Sequence, residues 1–308
     1  MSVAAPTIWY VTGTIDYTAP GRLTDLGDVS VAVLEPVPAD PVGICRLVPG
    51  LVLHPFDAAD LGLDADRLHG REIRSASAII RAVLALSPSA LDVPREPERR
   101  LVGTCRTFVV LSCALLRHRG IAARARCGFG TYFQPGLGLD HWITEYWHEA
   151  DGRWARVDTE HLEHSFVSRP EDLQPGEFLT GGEAWTGYRH GGIDAAAFGV
   201  AGTENFGPAE ISGNAVRDLA ALNKVEMLPW DEWGQMTAAY AGQAGPGYDE
   251  LIDEVAAACA SDSSRQLADL YSRPDLHVPA ELIQCGRPSR QSSFRGARTV
   301  EENTAPSE

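Results

Sequence analysis

Cys105, His141 and Asp158 are, in chain order, a nucleophile, a base and an acid placed where chemistry could use them. A thiolate attacks acyl carbons when its charge is stabilised. The first turn of a helix supplies free N–H groups and a positive dipole end for that purpose. Cys105 stands at such a place in GTCRTFVVLSCALLRHRG, after a turn glycine and a potential N-cap, Thr104. His141 follows the loop QPGLGLD and opens an aromatic, alternating run. Asp158 ends the next one, in HWITEYWHEADGRWARVDTE. A helix start and a histidine partner together predict a lowered pKa for the Cys105 thiol.

These residues need a helix packed on a hairpin. The segment from Cys105 runs apolar on nearly every face up to Arg117 and closes on Gly120, which predicts a buried helix. IAARARCGFGTYF follows as a strand, and EADG turns a hairpin. Centring the turn on Ala150 and Asp151 sets Ile143 opposite Asp158, Glu145 opposite Arg156 and Trp147 opposite Trp154. The charge pair and the aromatic pair support that register, which puts His141 and Asp158 on one face. Glu145 and Arg156 read as a cross-strand pair, and Cys113 and Cys127 as buried apolar residues.

The order of helix-start cysteine, strand-start histidine and strand-end aspartate, carried by GTCRTFVVLSCALLRHRGIAAR, DHWITEYW and GRWARVD, resembles the transglutaminase-like superfamily with its papain-like core. Ala122 stands where that family often has proline. The resemblance spans roughly residues 99–160 and implies an α+β fold. A central helix carrying Cys105 would pack on an antiparallel β-sheet carrying His141 and Asp158, with a helical C-terminal extension. It also implies Cys105 as nucleophile, His141 as base and Asp158 as the acid that orients it. The expected activity is acyl transfer through an acyl-cysteine, from an amide or thioester to an amine or water. The alternative is a non-catalytic binding or scaffold protein on the same fold.

The remaining chain sets limits. Its 308 residues, 44% hydrophobic, suffice for a buried core without disulfides. The six scattered cysteines lack CxxC spacing, and no run is long enough to span a bilayer, so a cytoplasmic protein with no membrane partner is expected. A net charge of -16 argues against nucleic acid and mildly favours neutral or cationic substrates. The expected partner is a small-molecule, peptide or carrier-bound acyl substrate, and no cofactor is expected. His161 and His164 in EHLEH lack a partner ligand at a recognisable spacing, so no metal is expected. Trp142, Thr104 and Trp230, the last in VEMLPWDEWG, are candidates for a substrate pocket.

The expected organisation is a mixed or β N-terminal region (1–70), a catalytic core (71–165), a largely helical extension packed on it (166–284) and a disordered tail (285–308). Within the first region the runs Thr7 to Thr12, Val29 to Leu34 and Gly43 to Val48 read as strands.

Overall fold

The computed structural model describes residues 15–285 apart from 165 and 262. The chain enters through two short helices, α1 (Val31–Leu34) and α2 (Pro41–Leu47). Then come β1 (Val52–Leu53), α3 (Pro55–Asp60), α4 (Ala76–Leu86) and β2 (Leu101–Val102), which pairs parallel to β1. The site-bearing part follows as α5 (Cys105–His118), β3 (Ala123–Gly130), β4 (Gly138–His148) and β5 (Arg153–Val157). Beyond it lie β6 (Phe178–Thr180), α6 (Gly181–Arg189), β7 (Phe198–Gly199) and α7 (Pro208–Leu222). The last helices are α8 (Met236–Tyr240), α9 (Tyr248–Ala260), α10 (Ser264–Tyr271) and α11 (Ala280–Cys285).

The principal sheet has the order β5-β4-β3-β6, antiparallel throughout, with β7 added parallel to the start of β4. This is the expected α+β arrangement, a cysteine-bearing helix against an antiparallel sheet. The hairpin register pairs Glu145 with Arg156 and Trp147 with Trp154. The ladder ends at Thr144 opposite Val157, one pair short of the expected Ile143–Asp158 match. Asp158 leaves the strand because its N–H donates to the Pro170 carbonyl at 2.9 Å.

The N-terminal reading needs correction. Residues 31–34 and 41–47 are helical, not extended. Asp40 caps α2 by accepting from the Gly43 N–H at 2.6 Å, and Pro41 occupies the first helical position. That cap outweighs the local β-preference of the following residues. The expected strand at residues 7–12 lies outside the described residues, as does the tail beyond 285. The core also reaches past residue 165, since β6 and β7 complete its sheet. Gly128 permits the β6 contact, for a Cβ there would lie 2.1 Å from the Leu179 carbonyl oxygen.

Both faces of β3 are covered, so all eight of its residues are buried. One core joins α2, α4 and α5 to Ala123, Ala125, Cys127, Trp142 and Tyr146. The other joins α6, α7 and α9 to Phe129. Buried charges on β3 must therefore be paired. Arg124 and Arg126 both reach Glu145, Arg126 also pairs with Asp218 of α7, and Arg156 joins Glu145 from β5. Burial would raise the Glu145 pKa, but the three guanidinium groups outweigh it and lower it to about 2.

Residues Cys105 to Arg117 of α5 are buried without exception. Its C-terminus turns through Gly120 at φ 75°, with the Ile121 N–H returning to the Leu116 carbonyl at 3.0 Å. Its start is anchored by Arg106, whose guanidinium donates to the carbonyls of Ile73, Arg74 and Glu226. Burial lowers the Arg106 pKa to about 10. Replacing Arg106 with leucine leaves three carbonyls without their donor, and thermal or urea unfolding should show a loss on the order of 3 kcal/mol. A change below ~0.5 kcal/mol, typical of surface positions, would mean that Arg106 does not anchor the helix. Among the described residues no helix is long and apolar enough to cross a membrane.

Candidate active site

Thr104 is the N-cap of α5, yet its hydroxyl makes no capping bond and is buried without a partner. Cys105 is the first helical residue, 7% exposed, and the backbone N–H groups of Arg106 and Trp142 donate towards its sulfur. β4 delivers His141, 3% exposed, beside it. The Cys105 sulfur, a ring nitrogen of His141 and a carboxylate oxygen of Glu160 lie within 4.8 Å of one another. Nε2 of His141 stands 3.1 Å from Oδ1 of Asp158, although the N–H direction misses the oxygen, so this is a close contact rather than an aligned hydrogen bond. Looseness of this kind is common before substrate binds.

Asp158 is a buried hub. Tyr132 donates its hydroxyl to Oδ2 at 2.6 Å, His161 Nδ1 lies 3.1 Å from the same oxygen, and the His161 N–H donates to Oδ1 at 3.2 Å. Burial would raise the pKa of this carboxyl, but the imidazoles of His141 and His161 outweigh it and hold Asp158 well below the usual carboxylate range. Burial likewise opposes a charge on His161, and there the carboxylates of Asp158 and Glu160 prevail and raise its pKa. The Tyr132 phenol is pushed up by burial and by Asp158, which keeps it a donor.

The three segments meet at a cavity of about 400 Å³ lined by Cys105, His141, Glu160 and His161. Val52, Leu53, Phe108, Phe133 and Leu139 form its apolar side, with the exposed rings of Phe56 and Phe166 also lining it. Asp57, Asp140, Glu160 and Glu163 set an acidic tone against one guanidinium, Arg100. His54 also lines it; its Nδ1 accepts from the Phe56 N–H at 3.3 Å, which leaves the proton on Nε2, and burial lowers its pKa.

The electrostatics of the thiol differ from the expectation set by helix position alone. Burial pushes the Cys105 pKa well above its ordinary value, Glu160 and Asp140 push it further, and the two N–H donors only partly compensate. These surroundings therefore favour the protonated thiol over the thiolate. Alkylation of Cys105 by iodoacetamide should then climb with pH, roughly tenfold per unit through neutrality, without a plateau. A plateau near neutral pH, measured by peptide mapping, would instead identify a preformed thiolate–imidazolium pair. Cys113 and Cys127 are fully buried and their thiols are pushed up by desolvation, as their apolar settings led us to expect.

The three pocket candidates do not line the cavity. Trp142 is 1% exposed and packs its indole into the core with Cys127 and Tyr146, contributing only its backbone N–H to the cysteine. Thr104 has its side chain turned into the protein, and Trp230 stacks under the guanidinium of Arg71 at 5.3 Å. The stretch around Trp230 is an anchor: Glu226 offers its carbonyl to Arg106, Asp231 pairs with Arg74, and Trp233 donates to the Leu276 carbonyl. The structure adds Tyr132, Glu160 and His161 to the site, of which the sequence raises only His161, as a possible metal ligand. For Glu160 and His161 the available signal was their place two and three residues after Asp158; Tyr132 carried none.

The sequence profile of the Transglutaminase-like superfamily matches residues 80–159. That segment includes α5, β3, β4 and β5 and therefore Cys105, His141 and Asp158. No curated protein matches the chain. Among solved structures, a protein from Cytophaga hutchinsonii provisionally named a cysteine protease aligns at 15% identity and a TM-score of 0.33, over 53% of this chain and 44% of its own. The chain thus spans less than half of that protein's length.

Proposed function

We propose that the transglutaminase-like segment of this chain makes it a thiol-dependent acyl-transfer enzyme, with Cys105 as nucleophile, His141 as base and Asp158 as the acid that orients His141. One observation carries this reading. The sulfur at the start of α5 lies within 4.8 Å of a ring nitrogen of His141, whose Nε2 is 3.1 Å from a buried, ionised Asp158. With Nε2 turned to Asp158, Nδ1 is the nitrogen left for the sulfur.

Because its surroundings favour the protonated thiol, His141 takes its proton as the sulfur attacks the acyl carbon of an amide or thioester. The carbonyl electron pair moves to oxygen, towards the Cys105 N–H at the helix start. Collapse expels the amine or thiol, which recovers the proton from His141, and leaves an acyl-cysteine. Water or an amine then gives a proton to His141 and attacks the acyl carbon, and the sulfur leaves, taking that proton from His141 to regenerate the thiol. Asp158 stabilises the imidazolium formed in each half. The acidic cavity suits neutral or cationic partners, and its apolar side suits the hydrophobic part of a small-molecule, peptide or carrier-bound acyl group.

Release of thiol from an aryl thioester, with and without a primary amine, tests the proposal. The full chain should turn the thioester over, and Cys105→Ser should fall to the uncatalysed rate. Turnover unchanged in Cys105→Ser would return the protein to the binding-module reading.

A further inference from the structure

Glu160 is not used by the acyl-transfer chemistry, yet its side chain is only 8% exposed. Its Oε1 lies 3.7 Å from His161 Nε2, and its Oε2 is buried with no hydrogen-bond partner. A buried carboxylate oxygen without a partner is rare enough to require a cause. Glu160 belongs with Cys105 and His141 to a group in which one ligand atom from each residue, the sulfur, a ring nitrogen and a carboxylate oxygen, lies within 4.8 Å of the others.

Thiolate, imidazole and carboxylate are the donor set of a borderline cation, whereas magnesium and calcium take oxygen ligands. Three protein ligands beside an open cavity leave a fourth position for water. We propose that Cys105, His141 and Glu160 form a binding site for a single divalent cation of the Zn2+ class. Ligand atoms no more than 4.8 Å apart need only side-chain adjustment to reach tetrahedral metal distances. The thiol proton passes to solvent as the sulfur–metal bond forms, and no electrons are transferred. A second grouping, His141 with Asp158 and His161, is less available because Tyr132 and both imidazoles already occupy Asp158.

The consequence is a switch. A bound cation holds the nucleophile and the base at once, so the metal-loaded protein is inactive and a chelator restores it. This second part rests on the proposed function; the binding site does not.

Co2+ titration of the full chain, followed by absorption, tests the site. The expected result is a near-ultraviolet thiolate-to-cobalt band and tetrahedral visible bands, saturating at one equivalent and displaced by Zn2+. Cys105→Ser should abolish the thiolate band although five other cysteines remain. Glu160→Gln, which keeps the side chain's shape, should weaken binding by at least about tenfold. A thiolate band that survives in Cys105→Ser, equal affinity in Glu160→Gln, or no band in the native chain would overturn the site. A cobalt spectrum with all these properties in a chain that turns over no thioester would keep the site and discard the switch. Turnover unaffected by saturating Zn2+ in a chain that shows the cobalt spectrum would do the same.

Discussion

His141→Ala should slow acylation of Cys105 on the order of a thousandfold while leaving the fold intact. The size follows from what the base contributes. A positioned histidine accelerates proton transfer by about 10² to 10⁴, and here the thiol has no pre-existing charge to fall back on, because burial, Glu160 and Asp140 all disfavour the thiolate. The measurement is single-turnover acylation by an aryl thioester at neutral pH, compared across a pH series. In the variant the rate should rise steeply with pH, as deprotonation by hydroxide replaces the base, so that the gap to the native protein narrows in alkaline buffer. If His161 were the base instead, His141→Ala would be mild and His161→Ala severe. A ring nitrogen of His141 lies within 4.8 Å of the sulfur.

Asp158 should show two effects that separate under different substitutions. In Asp158→Asn the size is kept and an oxygen can still accept from Tyr132, but the charge facing His141 and His161 is gone. Acylation should drop by about 10³, with little change in how well the native protein excludes reagent from Cys113. In Asp158→Ala the hub itself is lost, stranding Tyr132 and His161 in a buried setting, and unfolding should report a deficit on the order of 3 kcal/mol. The pH dependence has a definite sign. The folded pKa of Asp158 is depressed, so its stabilisation is complete above the unfolded carboxylate value and fades as pH falls towards the folded one. Denaturant midpoints across acidic pH should fall less steeply in Asp158→Asn than in the native chain. Equal slopes would mean that the hub is not linked to stability.

The parts of this site that could be read from the chain are those encoded locally. The Gly120 turn after the apolar run marks the end of α5, and the Glu145–Arg156 and Trp147–Trp154 pairs fix the hairpin register from adjacent residues. Cys105 opens α5 and Asp158 directly follows β5, while His141 lies three residues inside β4, which begins at Gly138; with the register fixed, their approach to one another was foreseeable. Tyr132, Glu160 and His54 were not, because their roles arise from loops whose path depends on tertiary contacts. The strands β6 and β7, three and two residues long, are too short for any alternation to register. The tryptophans misled for a related reason. Sequence places Trp142 beside the base, but neighbours in a strand point to opposite faces, and its indole lies in the core beneath the cysteine. The lowered thiol pKa expected from helix position failed because the thiol is buried, and because two carboxylates, Glu160 and Asp140, arrive from outside that helix.

Acid-quenched peptide mapping addresses the nucleophile itself. The full chain is mixed briefly with an aryl thioester, stopped in acid, digested and sequenced by mass spectrometry. The account predicts one acyl group on the peptide containing Cys105, removable by hydroxylamine, absent from Cys105→Ser and slow to form in His141→Ala. An acyl group on any other residue as the turnover intermediate, or turnover with Cys105 unmodified at every time sampled, would contradict it.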